Sequence, residues 1–91
     1  MADEPYEVLV SASAQQDLIR VPPRIVPAVV EFMYGDFAAA PRRVGKPLSR
    51  DLEGWWSARR GPYRILYEVD EDVRRLKVLR IAYRADAYRS R

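Results

Sequence analysis

The first part of the chain combines one strand pattern with one helical pattern. Polar and apolar residues alternate over positions 6–10, which are rich in strand-forming types, and this predicts a short strand. Ser13 and Gln16 have the spacing of a capping box, which predicts a helix that continues to about Arg20. Two prolines follow Val21. Because a proline disfavours the helical conformation in the residue before it, we expect the chain to turn there.

A second helix is predicted from residue 23 or 24 to about Tyr34. Four apolar residues fall on one side of it: Ile25, Val29, Phe32 and Met33. Pro27 is unfavourable inside a helix, so either the helix proper starts near Pro27 or its first turn is distorted. Gly35 is a natural stop.

The second half begins with a long connection over residues 38–54 and continues as three strands, at 55–60, 63–69 and 76–82. Gly61-Pro62 and the acidic run at 70–72 supply the turns between them. One strand, two helices and an antiparallel meander predict an α+β fold, with the helices packed on one face of a mostly antiparallel sheet and the other face free. We expect one domain over residues 1–91.

Side chains alternate between the two faces of a strand, so position predicts which of them are buried. In the middle strand of the meander, Ile65, Tyr67 and Val69 form the better core set. Arg64 and Leu66 belong to the opposite, open face. Trp55 and Trp56 point to opposite faces, which predicts that one of them is in the core, and Tyr63 shares the core parity.

Composition excludes several kinds of chemistry. The 91 residues contain no cysteine and no histidine, which rules out disulfides, thiolate or histidine metal sites, and histidine acid–base catalysis. We therefore predict no metal and no cofactor. The N-terminus is acidic and no apolar run is long enough to span a bilayer, which predicts a cytoplasmic protein with no membrane partner.

Charge is distributed unevenly along the chain. Residues 1–40 contain two basic and six acidic side chains, whereas residues 41–91 contain fourteen basic and seven acidic ones. Fourteen of the sixteen basic residues are arginines. Arginine can grip a phosphate with two nitrogens, so this half of the chain is suited to a polyanion.

Several segments resemble the RelE/ParE superfamily of type II toxins, in their order as well as their content. They are Gly-Lys-Pro-Leu at 45–48, Asp-Leu-Glu-Gly-Trp-Trp-Ser-Ala-Arg at 51–59, Gly-Pro-Tyr-Arg-Ile-Leu-Tyr at 61–67 and Ile-Ala-Tyr-Arg-Ala-Asp-Ala-Tyr at 81–88. The resemblance implies a ribosome-dependent endoribonuclease that cleaves messenger RNA without a metal. It also implies a cognate antitoxin, and a toxin–antitoxin complex bound to operator DNA through the antitoxin.

The resemblance also implies roles for individual residues. Arg64 matches the arginine that stabilises charge on the scissile phosphate, and Arg84 the arginine near the leaving oxygen. Tyr88 matches a C-terminal tyrosine that stacks on a base or assists proton transfer, with a spacing one residue shorter than usual. Arg59 matches an arginine on the strand before the turn. These assignments make Arg64, Arg84 and Tyr88 the candidate catalytic set.

One departure concerns the general base. Many RelE ribonucleases have lysines where this chain has Trp55 and Ser57, so the base is unidentified. Lys46 in the preceding connection is a candidate source of positive charge. The other candidate RNA-binding residues are the basic side chains Arg42, Arg43, Arg59 and Arg60.

Two other functions compete with the ribonuclease. One is a ParE-type toxin that inhibits DNA gyrase, which has the same fold without the catalytic set. The other is a non-catalytic basic module that binds nucleic acid or antitoxin. The joint presence of Arg64, Arg84 and Tyr88 favours the ribonuclease, whereas the loss of the two lysines keeps the gyrase inhibitor open.

Overall fold

A computed structural model describes residues 5–48 and 52–83 of the chain. The helices are α1 (Ala12–Arg20), α2 (Val26–Tyr34), α3 (Asp36–Ala39) and α4 (Pro41–Val44). The strands are β1 (Glu7–Val10), β2 (Gly45–Pro47), β3 (Trp56–Arg60), β4 (Tyr63–Asp70) and β5 (Arg75–Tyr83). These strands form one sheet in the order β1-β5-β4-β3-β2, in which only β1 and β5 pair in parallel. The predicted α+β fold is confirmed, and β4 is its central strand.

The start of α1 differs from the sequence prediction. Its N-cap is Ser11, whose hydroxyl accepts a hydrogen bond from the Ala14 backbone N–H at 3.0 Å. Ser11 has the extended backbone of an N-cap, and Ser13 lies inside the helix. The predicted capping box at Ser13 is therefore wrong by two residues, because the helix starts as soon as β1 ends.

Pro27 determines where α2 begins. Residues 22–25 form a turn, in which the Ile25 N–H bonds to the Pro22 carbonyl at 2.8 Å, and the helix starts at Val26. Pro27 is then in the first turn, where its missing N–H needs no helical partner. Of the two alternatives, the start near Pro27 is confirmed. Gly35 ends the helix as predicted.

The long connection predicted over residues 38–54 is wrong in part, since it contains the end of α3, all of α4 and the edge strand β2. β2 has only three residues and one of them is proline, so it has no strand signal in the sequence. Leu48 donates its N–H to the Trp55 carbonyl, which places the nitrogen of Pro47 on the outer edge of the sheet. A proline there cannot donate to another strand, and so it protects the edge.

The core lies between the helices and one face of the sheet. Its largest buried side chains are Tyr67, Phe37, Met33 and Ile65. The Phe37 and Tyr67 rings meet edge to face, with centroids 4.5 Å apart, and Trp56 packs against the same cluster. The predicted core set of β4 and the predicted core position of Tyr63 are therefore confirmed.

Asp17 joins α1 to the end of β5. β5 pairs with β1 only as far as Val78, and an irregularity next to Leu79 shifts the register beyond that point. The Asp17 carboxylate, 6% exposed, accepts a bond from the Ile81 backbone N–H at 2.9 Å. It also accepts two bonds from the Arg80 guanidinium, at 2.8 and 3.1 Å. Asp17 thus takes the place of a strand partner where β1 has ended.

We expect Asp17→Ala to lower the free energy of unfolding by about 1–3 kcal/mol, because the buried Ile81 N–H loses its acceptor. Asp17→Asn should cost less, since the amide oxygen can still accept that bond. Equilibrium denaturation in urea measures both. Glu7→Ala is the control: Glu7 is paired with Arg75 in the solvent, and we expect a change below about 1 kcal/mol. An Asp17→Ala protein as stable as its parent would contradict the assignment.

Candidate nucleic-acid interface

Three cations lie together on the face of the sheet opposite the core. Arg59 on β3 is directly across from Arg64 on β4, and Lys46 on β2 is directly across from Ser57 on β3. Residues across from each other have Cβ atoms about 5 Å apart, and diagonal neighbours such as Lys46 and Arg59 are about 7–8 Å apart. We call Lys46, Arg59 and Arg64 the cationic patch.

The patch brings like charges close together. Like charges directly across from each other on neighbouring strands destabilise a sheet. Among the described residues, the nearest positions in register with the Arg59–Arg64 pair are Ser57, Leu66 and Ala82, and none of them is acidic. An anion bound to the patch would relieve the repulsion, and a backbone phosphate is well suited to the guanidinium fork.

The patch is set on a face that is not fully open. Ser57 and Leu66 are only 7% and 3% exposed, and Arg64 is half-buried. The prediction that this face is free is therefore wrong around Leu66, although its parity is correct. β4 is the central strand of the sheet, paired with β3 on one side and β5 on the other. The side chain of Arg64 is therefore attached to rigid, well-packed backbone.

A fourth cation on this face, Arg80, is neutralised within the fold. It lies across from Leu66 and is bound by both oxygens of Asp17. The hydrogen bonds to Asp17 raise the pKa of Arg80 above its usual value, although burial of the guanidinium acts to lower it. The partners are 63 positions apart, so no local pattern in the sequence predicts this pair.

A buried contact between Tyr67 and the chain just before Lys46 holds Lys46 on this face. The Tyr67 hydroxyl donates a hydrogen bond of 2.6 Å to the Pro41 carbonyl, and burial raises the pKa of that hydroxyl well above its usual range. Gly45 lies against the same oxygen: a Cβ at this position would come within 2.0 Å of it. The chain therefore passes directly over Tyr67 as it enters β2, and we call Pro41, Gly45 and Tyr67 the tyrosine clasp.

The other candidate RNA-binding residues lie elsewhere. Arg42 pairs with Glu71 at 3.1 Å, and its guanidinium lies 5.9 Å from the centre of the Trp56 ring, on the core side of the sheet. Glu71 follows the end of β4, about 20 Å or more along the strand from Arg64. Arg60 lies over the Phe32 ring, also on the core side. The structure thus brings together Lys46, Arg59 and Arg64 but separates Arg42 and Arg60 from them.

Tyr6 joins Arg42 at that far end of the sheet. Its hydroxyl donates to Glu71, and this hydrogen bond, with a smaller effect of burial, raises the pKa of Tyr6. Arg43 is exposed on α4. Since Arg42 already has an acidic partner at this end, its charge is partly matched within the fold.

Arg84 and Tyr88 lie outside the described residues. Within residues 5–48 and 52–83, no three or more acidic side chains group together as metal ligands would. None of the helices in these ranges has the length and apolar character needed to cross a membrane.

Comparison with known sequences identifies relatives over nearly the whole chain. The model of the family described as "ParE toxin of type II toxin-antitoxin system, parDE" matches residues 8–88. Toxin RelG of Mycobacterium tuberculosis is 52% identical over 85 residues, covering 93% of this chain and 98% of RelG. Toxin RelE of the same organism is 47% identical over 87 residues, covering 96% of this chain and 90% of RelE.

Comparison with solved structures agrees on the fold. A chain of the toxin–antitoxin complex RelBE2 from Mycobacterium tuberculosis superposes with a TM-score of 0.86 at 49% identity, covering 89% of this chain and 100% of that one. A chain of the archaeal RelE–RelB complex from Pyrococcus horikoshii superposes with a TM-score of 0.64 at 21% identity, covering 92% and 100%. At that low identity the second similarity concerns the fold alone.

We expect Gly45→Ala to destabilise the protein by about 1–3 kcal/mol, because the new methyl group overlaps the Tyr67 hydroxyl. Tyr67→Phe removes that oxygen and should recover part of the loss in the double variant. A double-mutant cycle from denaturation curves measures this coupling. Gly54→Ala is the control for adding a methyl group where there is room, since no atom lies within 4 Å of a Cβ at that position. Its φ of +94° adds backbone strain but no steric overlap. Strictly additive effects of Gly45→Ala and Tyr67→Phe would contradict the clasp.

Proposed function

The chain belongs to the RelE/ParE family of toxins of type II toxin–antitoxin systems, and we propose that it acts as a ribosome-dependent, metal-independent endoribonuclease that cleaves messenger RNA. The relatives at about 50% identity are toxins named RelE and RelG. The similarity to these toxins supports a ribonuclease function for this chain over inhibition of DNA gyrase.

The observation that carries the proposal is the cationic patch. Arg59 and Arg64 lie directly across from each other on neighbouring strands, and Lys46 is held diagonally beside them by the tyrosine clasp. RNA has closely spaced phosphates, and arginines on a packed sheet can hold one of them without rearrangement.

The proposed reaction needs no nucleophile from the protein. The 2′-oxygen of the RNA forms a bond to the adjacent phosphorus, and the bond from phosphorus to the 5′-oxygen breaks. The 2′-hydroxyl loses its proton and the leaving 5′-oxygen gains one. Negative charge grows on the phosphate oxygens along the way, and cations placed beside them lower the barrier. Arg64 contacts these oxygens, while Lys46 and Arg59 hold the phosphates on either side.

The resemblance supplies the rest of the catalytic set. Arg84 follows β5 directly and is proposed to protonate the leaving oxygen, with Tyr88 stacking on a base or assisting proton transfer. Lys46 lies across from Ser57, a position where many related ribonucleases have lysine, so it returns a positive charge to that part of the site. Guanidinium and ammonium groups are poor bases near neutral pH. We therefore expect slow chemistry that depends on the ribosome to orient the message.

The proposal includes a cognate antitoxin. Similar chains have been solved in RelB–RelE complexes, which supports a protein partner for this toxin. Acidic side chains of the antitoxin that cover the cationic patch would block access to RNA, and this binding would weaken as salt rises. We propose that the complex acts in the cytoplasm and binds operator DNA through the antitoxin.

We expect Arg64→Ala to slow single-turnover cleavage on programmed ribosomes about a hundred- to a thousandfold, the effect of losing one preorganised charged donor at roughly 2.7–4 kcal/mol. Arg64→Lys should recover only part of the rate, because a point charge cannot reproduce the two-pronged grip. Thermal unfolding of each variant checks that the fold is intact.

Arg75→Ala is the matched control for this experiment. Arg75 is also an arginine on a strand, but it lies at the far end of the sheet in a solvent-exposed pair with Glu7, and we expect its loss to leave cleavage unchanged. Full activity of Arg64→Ala would refute the assignment. Arrest of DNA replication before translation, on expression of the toxin, would favour the gyrase inhibitor instead.

The ends of the cleaved RNA provide an independent prediction. Attack by the 2′-oxygen leaves a 2′,3′-cyclic phosphate on one fragment and a 5′-hydroxyl on the other. The 5′ end can be measured by whether a kinase labels the fragment without prior phosphatase treatment. A 5′-phosphate at the cut site would exclude this reaction, because it requires water to attack the phosphorus and a different bond to break.

A further inference from the structure

An aromatic and cationic row crosses the end of the sheet on the side opposite the patch. Arg60 on β3, Tyr63 on β4 and Tyr83 on β5 are in register, so they lie side by side on the core face of three neighbouring strands. At about 4.8 Å per strand, Arg60 and Tyr83 are about 10 Å apart. We call these residues the end row.

Tyr83 presents its ring to solvent on a firm support. Its exposure is 50%, whereas Tyr63 next to it is 9% exposed. The two rings meet edge to face, with centroids 5.7 Å apart and planes at 85°. This contact holds the exposed ring in one orientation, so a planar group that stacks on Tyr83 meets a surface that is already ordered.

Arg60 is ordered in a similar way. Its guanidinium lies 5.8 Å from the centre of the Phe32 ring on α2, and the residue is exposed. Arg60 is next to Arg59 in sequence, and Tyr63 is next to Arg64. The end row and the cationic patch are therefore back to back at the same end of the sheet, separated only by its thickness.

We propose that the end row binds a nucleotide that flanks the cleavage site, with its base stacked on Tyr83 and its phosphate near Arg60. This inference rests on the proposed ribonuclease function. An RNA strand held by Arg59 and Arg64 would turn around the exposed Gly61-Pro62 end of the sheet and continue past Arg60 on the other side. Because single strands are bound by aromatic platforms beside positive charge, the end row suits RNA with an unpaired base.

The fluorescence of 2-aminopurine, an adenine analogue that is quenched by stacking, tests this contact directly. It is placed at one flanking position at a time in a message whose scissile 2′-hydroxyl is replaced by hydrogen, so that no cleavage occurs on the programmed ribosome. We expect the parent toxin and Tyr83→Phe to quench one of these positions, and Tyr83→Ala to leave it bright. Equal quenching by all three proteins would overturn the proposal.

Cleavable messages supply the second measurement. Tyr83→Ala should raise the half-saturating concentration about five- to a hundredfold, the effect of losing one stacked base, and leave the rate at saturation close to that of the parent. An abasic nucleotide at the identified position should weaken the parent by the same factor and not weaken Tyr83→Ala further. The loss of affinity of the parent for the abasic message is measured on the unaltered protein, so that part of the comparison holds even if Tyr83→Ala is destabilised.

Tyr34→Ala is the control for loss of an exposed tyrosine. Tyr34 is 59% exposed on α2, outside the end row, and its loss should change neither measurement. Failure of the parent toxin to cleave any message would overturn the proposed function itself. Normal cleavage and quenching by Tyr83→Ala, together with weaker binding of the antitoxin, would assign Tyr83 to the protein partner and refute the RNA contact.

Discussion

Burial of the Tyr67 hydroxyl fixes the path of the chain from the helices into the edge of the sheet. The side chain is fully buried on the central strand, and a buried hydroxyl must find a hydrogen-bond partner or destabilise the fold. The Tyr67 hydroxyl donates a hydrogen bond to the Pro41 carbonyl. This bond orients the short helix α4 and brings the residues after it across the end of the Tyr67 ring. Only a glycine fits there, and β2 forms directly after it.

Strand β4 carries core residues on one face and Arg64 on the other. Alternation along β4 places Tyr67 and Ile65 inside and therefore Arg64 outside, on backbone that is packed from both sides. Arg59 is brought opposite Arg64 by pairing of β3 with β4, and Lys46 is brought alongside by pairing of β2 with β3. The cationic patch is thus a consequence of the register that the core imposes. Its repulsion is tolerated because burial of the aromatic cluster contributes far more than one unfavourable charge pair costs.

Two of the cations near the sheet have an acidic partner within the fold. Arg80 and Arg42 lie on the same sheet or against it, but Asp17 and Glu71 hold them. Lys46, Arg59 and Arg64 instead lie together on the face of the sheet opposite the core. A count of basic residues in the second half of the chain does not separate these two groups, since all five lie within residues 41–91. Only the pairing of strands and helices does.

Local sequence patterns are sufficient to predict the α+β class, the strands of the meander, the core face of β4 and the family. These follow from alternation with a period of two and from local turn and motif residues, which act over a few positions. The edge strand β2, the Asp17–Arg80 pair and the grouping of Lys46 with Arg59 and Arg64 follow from the tertiary structure, because each joins groups that are far apart in the sequence. The cap at Ser11 is a local contact, but the choice of Ser11 over Ser13 depends on where β1 ends. A three-residue strand with a proline has no periodicity of its own, and it exists because Tyr67 and β3 hold it in place.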